Sequence, residues 1–147
     1  MITVALTIDS TPMPRANGSF DVNLTPDGAV DAAPGATLAR LILDKVFRGD
    51  LMGTSVGRML SAASDVKGSA GYVAIERVTG SLHGRNGTFV LQHNGLMTRG
   101  VGQLTIIVVP DSGTGELAGL AGQMTIDITE GKHHYDFDYT LPGLPQA

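Results

Sequence analysis

Cysteine is absent from this sequence of 147 residues, which excludes disulfides, a thiolate nucleophile and cysteine-ligated zinc. Tryptophan is also absent, and aromatic residues make up only 5% of the chain, so there is little surface on which nucleic-acid bases could stack. The 10 lysines and arginines form no cluster, and the net charge is −4. This charge argues against nucleic acids and anionic membranes as partners.

Long apolar runs are missing as well. The longest, Ile106 to Val109, is far too short to cross a bilayer as a helix. The opening MITVALTIDS has neither the basic start nor the apolar stretch of a signal peptide, and its alternation predicts a first strand. We therefore expect a cytoplasmic protein.

The composition indicates a compact globular protein. Hydrophobic residues make up 42% of the chain and charged ones 16%, and the length predicts a single domain over residues 1–147. The 20 glycines follow no collagen period and are scattered among valine, isoleucine and threonine. That distribution is typical of tight turns and of kinks in strands.

Alternation of apolar and polar residues predicts strands over most of the chain. It is clear in SFDVNL, AGYVAIERVTGSL and HHYDFDYTL. The segment TLARLILDKVFRGD fits a helix or a strand, and we favour a strand because Gly-Asp ends it like a hairpin and a segment broken by glycine and serine follows.

Turn signals divide the rest. They predict a loop over TPDGAVDAAPG, a hairpin turn at residues 84–87, a turn at HNG, and a long strand over LMTRGVGQLTIIVVP that bends at Gly100 and Gly102. A glycine-broken loop with one helical turn follows over DSGTGELAGLAG, and a last hairpin turns at EGK. Short connections favour an all-β, closed, antiparallel up-and-down barrel of about eight strands, wide enough for one small ligand. A β-sandwich is the alternative.

Two segments, GTFVLQHNG and DSGTGELAGLAG, resemble an uncharacterised bacterial family of domains of unknown function with an allene-oxide-cyclase-like β-barrel. The resemblance runs from about Leu38 to Leu141 and implies a closed barrel with a central cavity, but no known reaction. Where the family often has an acidic residue in a Val-Glu-Tyr motif, this chain has Gly57 and Arg58. Carboxylate chemistry on that strand is therefore not carried over.

Glu76 is the candidate for catalysis. Its neighbours on the same face of the strand are Tyr72, Ala74 and Val78, so burial would raise its pKa towards the range of a general base. The alternative, which is the commoner fate of a buried charge, is an ion pair with a basic residue such as Arg58 or Arg99. Tyr72, Gln92, His93 and Arg58 are the candidates for ligand binding.

His93 shares a face with Phe89 and Leu91, and Gln92 lies on the opposite face. Only one of His93 and Gln92 can point into the barrel. His93 could contact a ligand or shuttle a proton, but HNG is a turn signal and favours a histidine that caps the hairpin.

His133, His134, Asp136 and Asp138 resemble a metal site, but they also fit an ordinary amphipathic strand, and we expect no metal or other cofactor. The function favoured by the sequence is a β-barrel that binds a small, largely apolar molecule. The alternative is an isomerase or cyclase that folds a flexible apolar substrate and moves a proton with Glu76 or a tyrosine. A purely structural, oligomerising domain is a weaker third reading, so assembly into homo-oligomers is left open.

Overall fold

The computed structural model describes residues 14–144, which form nine strands and one short 3₁₀ helix. No helix in this part of the chain is long and apolar enough to cross a membrane. The strands are β1 Arg15–Pro26, β2 Asp31–Ala33, β3 Ala36–Gly49, β4 Leu51–Ser64, β5 Ala70–Leu82, β6 Arg85–Thr98, β7 Val101–Val108, β8 Ala121–Thr129 and β9 Lys132–Thr140; the 3₁₀ helix is Gly115–Leu117.

Eight of these strands close into an antiparallel barrel. Neighbours from β3 to β9 pair in sequence order, and β1 closes the ring by pairing with β9 on one side and with β3 on the other. The short β2 pairs with the first residues of β3, beside the end of β1. The predicted barrel is confirmed, and the ambiguous segment at residues 37–50 is a strand.

Period-two alternation sends every second side chain into the barrel. On β9, Tyr135, Phe137 and Tyr139 are buried, while His134, Asp136 and Asp138 lie on the opposite, outward face. On β6, Phe89, Leu91 and His93 point inward, so Gln92 is the outward residue. Aromatic and leucine side chains fill the end of the barrel where β6 begins and β5 ends.

The barrel is least tightly closed between β7 and β8. Only two residue pairs join these strands, Ile106 with Met124 and Ile107 with Gln123. By contrast, β7 pairs with β6 from its first residue, and β8 pairs with β9 to its last. The strands therefore separate towards the end of the barrel where β7 begins.

Three hairpins turn at a residue-glycine pair in which both residues have positive φ: His83-Gly84, Arg99-Gly100 and Glu130-Gly131. This is the backbone of the two-residue turns that match the twist of paired strands. The last one confirms the closing hairpin. The other two hairpins differ from the prediction. The turn expected at residues 84–87 lies at His83-Gly84, before residues 85–87, and the long strand predicted over residues 96–110 is divided by a turn at Arg99-Gly100.

The turn expected at HNG is wrong, because β6 runs on through it. Both Asn-Gly pairs of this region lie inside the strand, where the glycines make room for neighbours. A Cβ on Gly87 would collide with the backbone carbonyl of Thr114, and one on Gly95 would lie 2.5 Å from the ring of Tyr72.

Some segment bounds also differ from the prediction. The strand predicted at SFDVNL begins earlier, at Arg15, and the loop at residues 25–35 contains β2. The helical turn predicted after β7 is present as the 3₁₀ helix. The first strand predicted over MITVALTIDS lies outside the described residues.

Candidate functional site

Four polar side chains form a buried layer across the middle of the barrel. Lys45 of β3, Ser55 of β4, Glu76 of β5 and His93 of β6 occupy inward positions on four successive strands. Each is at most 4% exposed. Because polar groups are costly to bury without partners, these four side chains must satisfy one another.

Glu76 is the centre of this polar layer. Its Oε1 accepts hydrogen bonds from the Nζ of Lys45 at 2.8 Å and from the Nε2 of His93 at 2.5 Å. Its Oε2 accepts a hydrogen bond of 2.5 Å from the hydroxyl of Ser55. Gly57 faces Glu76 across the strand pair, and a Cβ there would lie 2.7 Å from that of Glu76, so the glycine leaves room for the carboxylate.

These contacts keep the carboxylate ionised. Burial raises the pKa of Glu76, but the hydrogen bond from His93, the charge and hydrogen bond of Lys45 and the Ser55 hydroxyl outweigh burial and lower the pKa to about 2. The general-base interpretation of Glu76 predicted the opposite shift, because it treated the residue as an isolated charge. Of its two alternatives, the ion pair is present, but with Lys45 in place of Arg58 or Arg99.

Tyr72 extends the polar layer towards the open end of the barrel. Its hydroxyl lies 3.1 Å from the Nδ1 of His93, the imidazole nitrogen that does not face Glu76. The ring lies against Gly95, directly opposite on β6. Burial, and secondarily the negative charge of Glu76, raise the pKa of Tyr72 to about 12, so this hydroxyl keeps its proton.

A cavity of about 410 Å³ lies above the polar layer, at the end of the barrel where β7 and β8 separate. Among residues 14–144 its lining is almost wholly apolar, and Tyr72 is the one titratable side chain that they contribute. Glu76 is not in the lining. The inward residues that contribute are Met59, Ser61, Ala63, Ala70, Tyr72, Gly95, Met97, Gly102, Leu104 and Ile128.

The sequence-predicted site residues therefore divide into two groups. Glu76, His93 and Tyr72 are brought together inside the barrel, and the turn cap favoured for His93 is wrong because its imidazole is buried against Glu76. Arg58 and Gln92 point outward, where they line a depression on the outer wall. Of the two residues that stand where the family motif was expected, Arg58 therefore faces the outer surface and Gly57 faces the lumen, opposite Glu76.

Lys45 and Ser55 were missed. The signal for Lys45 was available in the sequence: once β3 is taken as a strand, Leu43, Lys45 and Phe47 share one face, and the lysine interrupts an apolar row. Its ammonium lies 4.8 Å from the centre of the Phe20 ring and 5.7 Å from that of Phe47, which adds cation–π attraction. Ser55 carried no comparable signal among the many serines of the chain.

The histidines and aspartates of β9 do not form a metal site. Within residues 14–144, no three histidine, cysteine, aspartate or glutamate side chains are grouped so that they could hold a metal ion. Asp138 is instead paired with Arg15, whose Nε lies 2.8 Å from its Oδ1. His133 packs against the ring of Phe20.

Comparison with other proteins gives a family without an assigned activity. The sequence pattern of the family described as "Protein of unknown function (DUF3224)" matches residues 16–139. A crystal structure of a DUF3224 protein of unknown function from Shewanella oneidensis MR-1 is 53% identical, with a TM-score of 0.85 over 88% of this chain and 97% of the other. No curated protein matches the sequence.

Proposed function

We propose that the barrel of this chain, which belongs to the DUF3224 family, binds one small, largely apolar molecule in the cavity at its open end. The single observation that supports this proposal is the cavity of about 410 Å³. Its walls are apolar, and among the described residues Tyr72 is the one aromatic side chain with a polar group in its lining. Binding sites for small molecules typically combine such walls with a few placed polar groups.

The polar layer supports binding by giving the cavity a fixed floor. Because every member of the layer has a partner, Tyr72 is held between Gly95 and His93 and does not need a ligand to be satisfied. A preorganised group of this kind binds a ligand without first paying the entropy of being ordered.

The same contacts weigh against the isomerase or cyclase alternative. A general base needs a pKa near the working pH. The pKa of Glu76 is lowered to about 2 and that of Tyr72 is raised to about 12, so one group is a very weak base and the other a very weak acid. A cytoplasmic location and the absence of nucleic-acid and membrane partners remain predictions.

The test is binding of naphthalene, a rigid apolar probe, to the folded protein by isothermal titration calorimetry. The Ala63→Leu variant adds bulk to the cavity wall and should weaken binding at least several-fold. The matched control is Val73→Leu on the outward face of the neighbouring strand, which should bind as the wild type does. Equal binding by both variants, or no binding by the wild type, would refute the proposal.

Small molecules that co-purify with the native protein provide a second test. Mass spectrometry should detect an apolar compound in the wild type and less of it in Ala63→Leu. A compound that is equally abundant in both proteins would be bound elsewhere.

A further inference from the structure

Tyr72 has one hydrogen-bond donor, its O–H, and lone pairs that can accept. Which of these is left for a ligand depends on what the hydroxyl does with His93, its partner at 3.1 Å. The chain from Glu76 through His93 to Tyr72 therefore sets the polarity that the cavity presents, and the direction of each bond in the chain can be worked out from its buried end.

The direction starts at the carboxylate. An ionised Glu76 has no proton to give, so the 2.5 Å contact between its Oε1 and the Nε2 of His93 requires the proton on Nε2. The polar layer already balances this carboxylate with the ammonium of Lys45. A second positive charge on His93 would be unbalanced in a buried layer, and burying an unbalanced charge is costly.

A neutral imidazole that carries its proton on Nε2 has a bare lone pair on Nδ1. The O–H of Tyr72 is then committed to donating to Nδ1, and only the oxygen lone pairs remain for another molecule.

We propose that the cavity selects an uncharged apolar molecule that bears a hydrogen-bond donor, such as an alcohol or phenol, which donates to the oxygen of Tyr72. The proposal rests on the proposed binding function. It adds a ligand class and assigns Tyr72 as the group that determines specificity, with His93 as the positioning residue behind it.

The experiment compares 2-naphthol, which can donate, with 2-methoxynaphthalene, which can only accept, in calorimetric titrations at neutral pH. Since the two probes differ in hydration, the ratio of their affinities is normalised to the same ratio in Tyr72→Phe. The wild type should favour 2-naphthol by a further two- to tenfold or so, the worth of one neutral hydrogen bond.

Variants separate the roles. His93→Leu offers Tyr72 no acceptor, so it should lower the excess preference for 2-naphthol, because the O–H is then free to donate to either probe. The control His134→Gln, an exposed histidine of β9, should keep the wild-type excess. If His93→Leu does not fold, the comparison with Tyr72→Phe carries the test.

A probe ratio in the wild type equal to that of Tyr72→Phe overturns the inference while naphthalene binding stands. Failure of all three probes to bind overturns the proposed function itself.

Discussion

Replacing Glu76 with glutamine should destabilise the barrel strongly, because it keeps the shape of the side chain and leaves the Lys45 ammonium without its counter-charge. Lys45 and Glu76 are 3% and 0% exposed and 2.8 Å apart. Breaking a buried ion pair by removing one partner typically costs about 3–5 kcal/mol. The pKa of Glu76, lowered from 4.5 to about 2, independently corresponds to about 3 kcal/mol in favour of the ionised form.

The assay is urea unfolding at neutral pH, followed by circular dichroism. A loss of about 3 kcal/mol should also lower the melting temperature of a chain of this size by about 10 °C. The matched control is Asp21→Asn, which breaks an ion pair of similar length, 2.7 Å, with Arg48. Here the side chains of Arg48 and Asp21 are 55% and 73% exposed. Exposed pairs contribute about 0–1 kcal/mol, so this variant should remain close to the wild type.

A double variant tests the cause. If the cost of Glu76→Gln is the stranded ammonium, adding Lys45→Met should recover part of the lost stability, since the buried charge is then gone. A loss below about 1 kcal/mol for Glu76→Gln, or the same loss for Asp21→Asn, would refute the reasoning, because burial would then not distinguish the two pairs.

Three further predictions follow from the same contacts. The wild type should lose about 3 kcal/mol of stability as the pH falls from 4.5 through about 2, because the lowered pKa of Glu76 stabilises the fold only while the carboxylate is ionised. In the same urea titrations the stability of Glu76→Gln should fall less steeply with pH, and equal slopes for the two proteins would contradict this. Gly95→Ala should destabilise the protein by about 1–3 kcal/mol and weaken naphthalene binding, since the new Cβ would lie 2.5 Å from the Tyr72 ring. Gly102→Ala, with nothing within 4 Å of its Cβ, should leave the stability unchanged, and a harmless Gly95→Ala would show that the ring has room to move. In hydrogen exchange, the amides of residues 88–92 in β6 should be among the slowest in the protein. Those of residues 101–105, where β7 separates from β8, should exchange faster, and the reverse order would place the weak part of the barrel elsewhere.

The sequence alone determined the class of fold, most of the strand pattern and which residues share a face of a strand. Period-two alternation is a local property of the backbone, so Tyr135, Phe137 and Tyr139 could be assigned to one face without knowing what they pack against. Glu76, His93 and Tyr72 could be singled out for the same reason, since a polar group in an apolar row must be paired or used.

Only the tertiary structure decided the pairing. Lys45 and Glu76 are 31 residues apart in sequence, and the register that places β3, β4, β5 and β6 side by side depends on where each hairpin turns. The Asn-Gly pairs pointed to the wrong turns, because a glycine needed for close approach reads the same as a glycine needed for positive φ. A pKa depends on those distant neighbours, which is why the shift of Glu76 was opposite in sign to the one expected from its own strand.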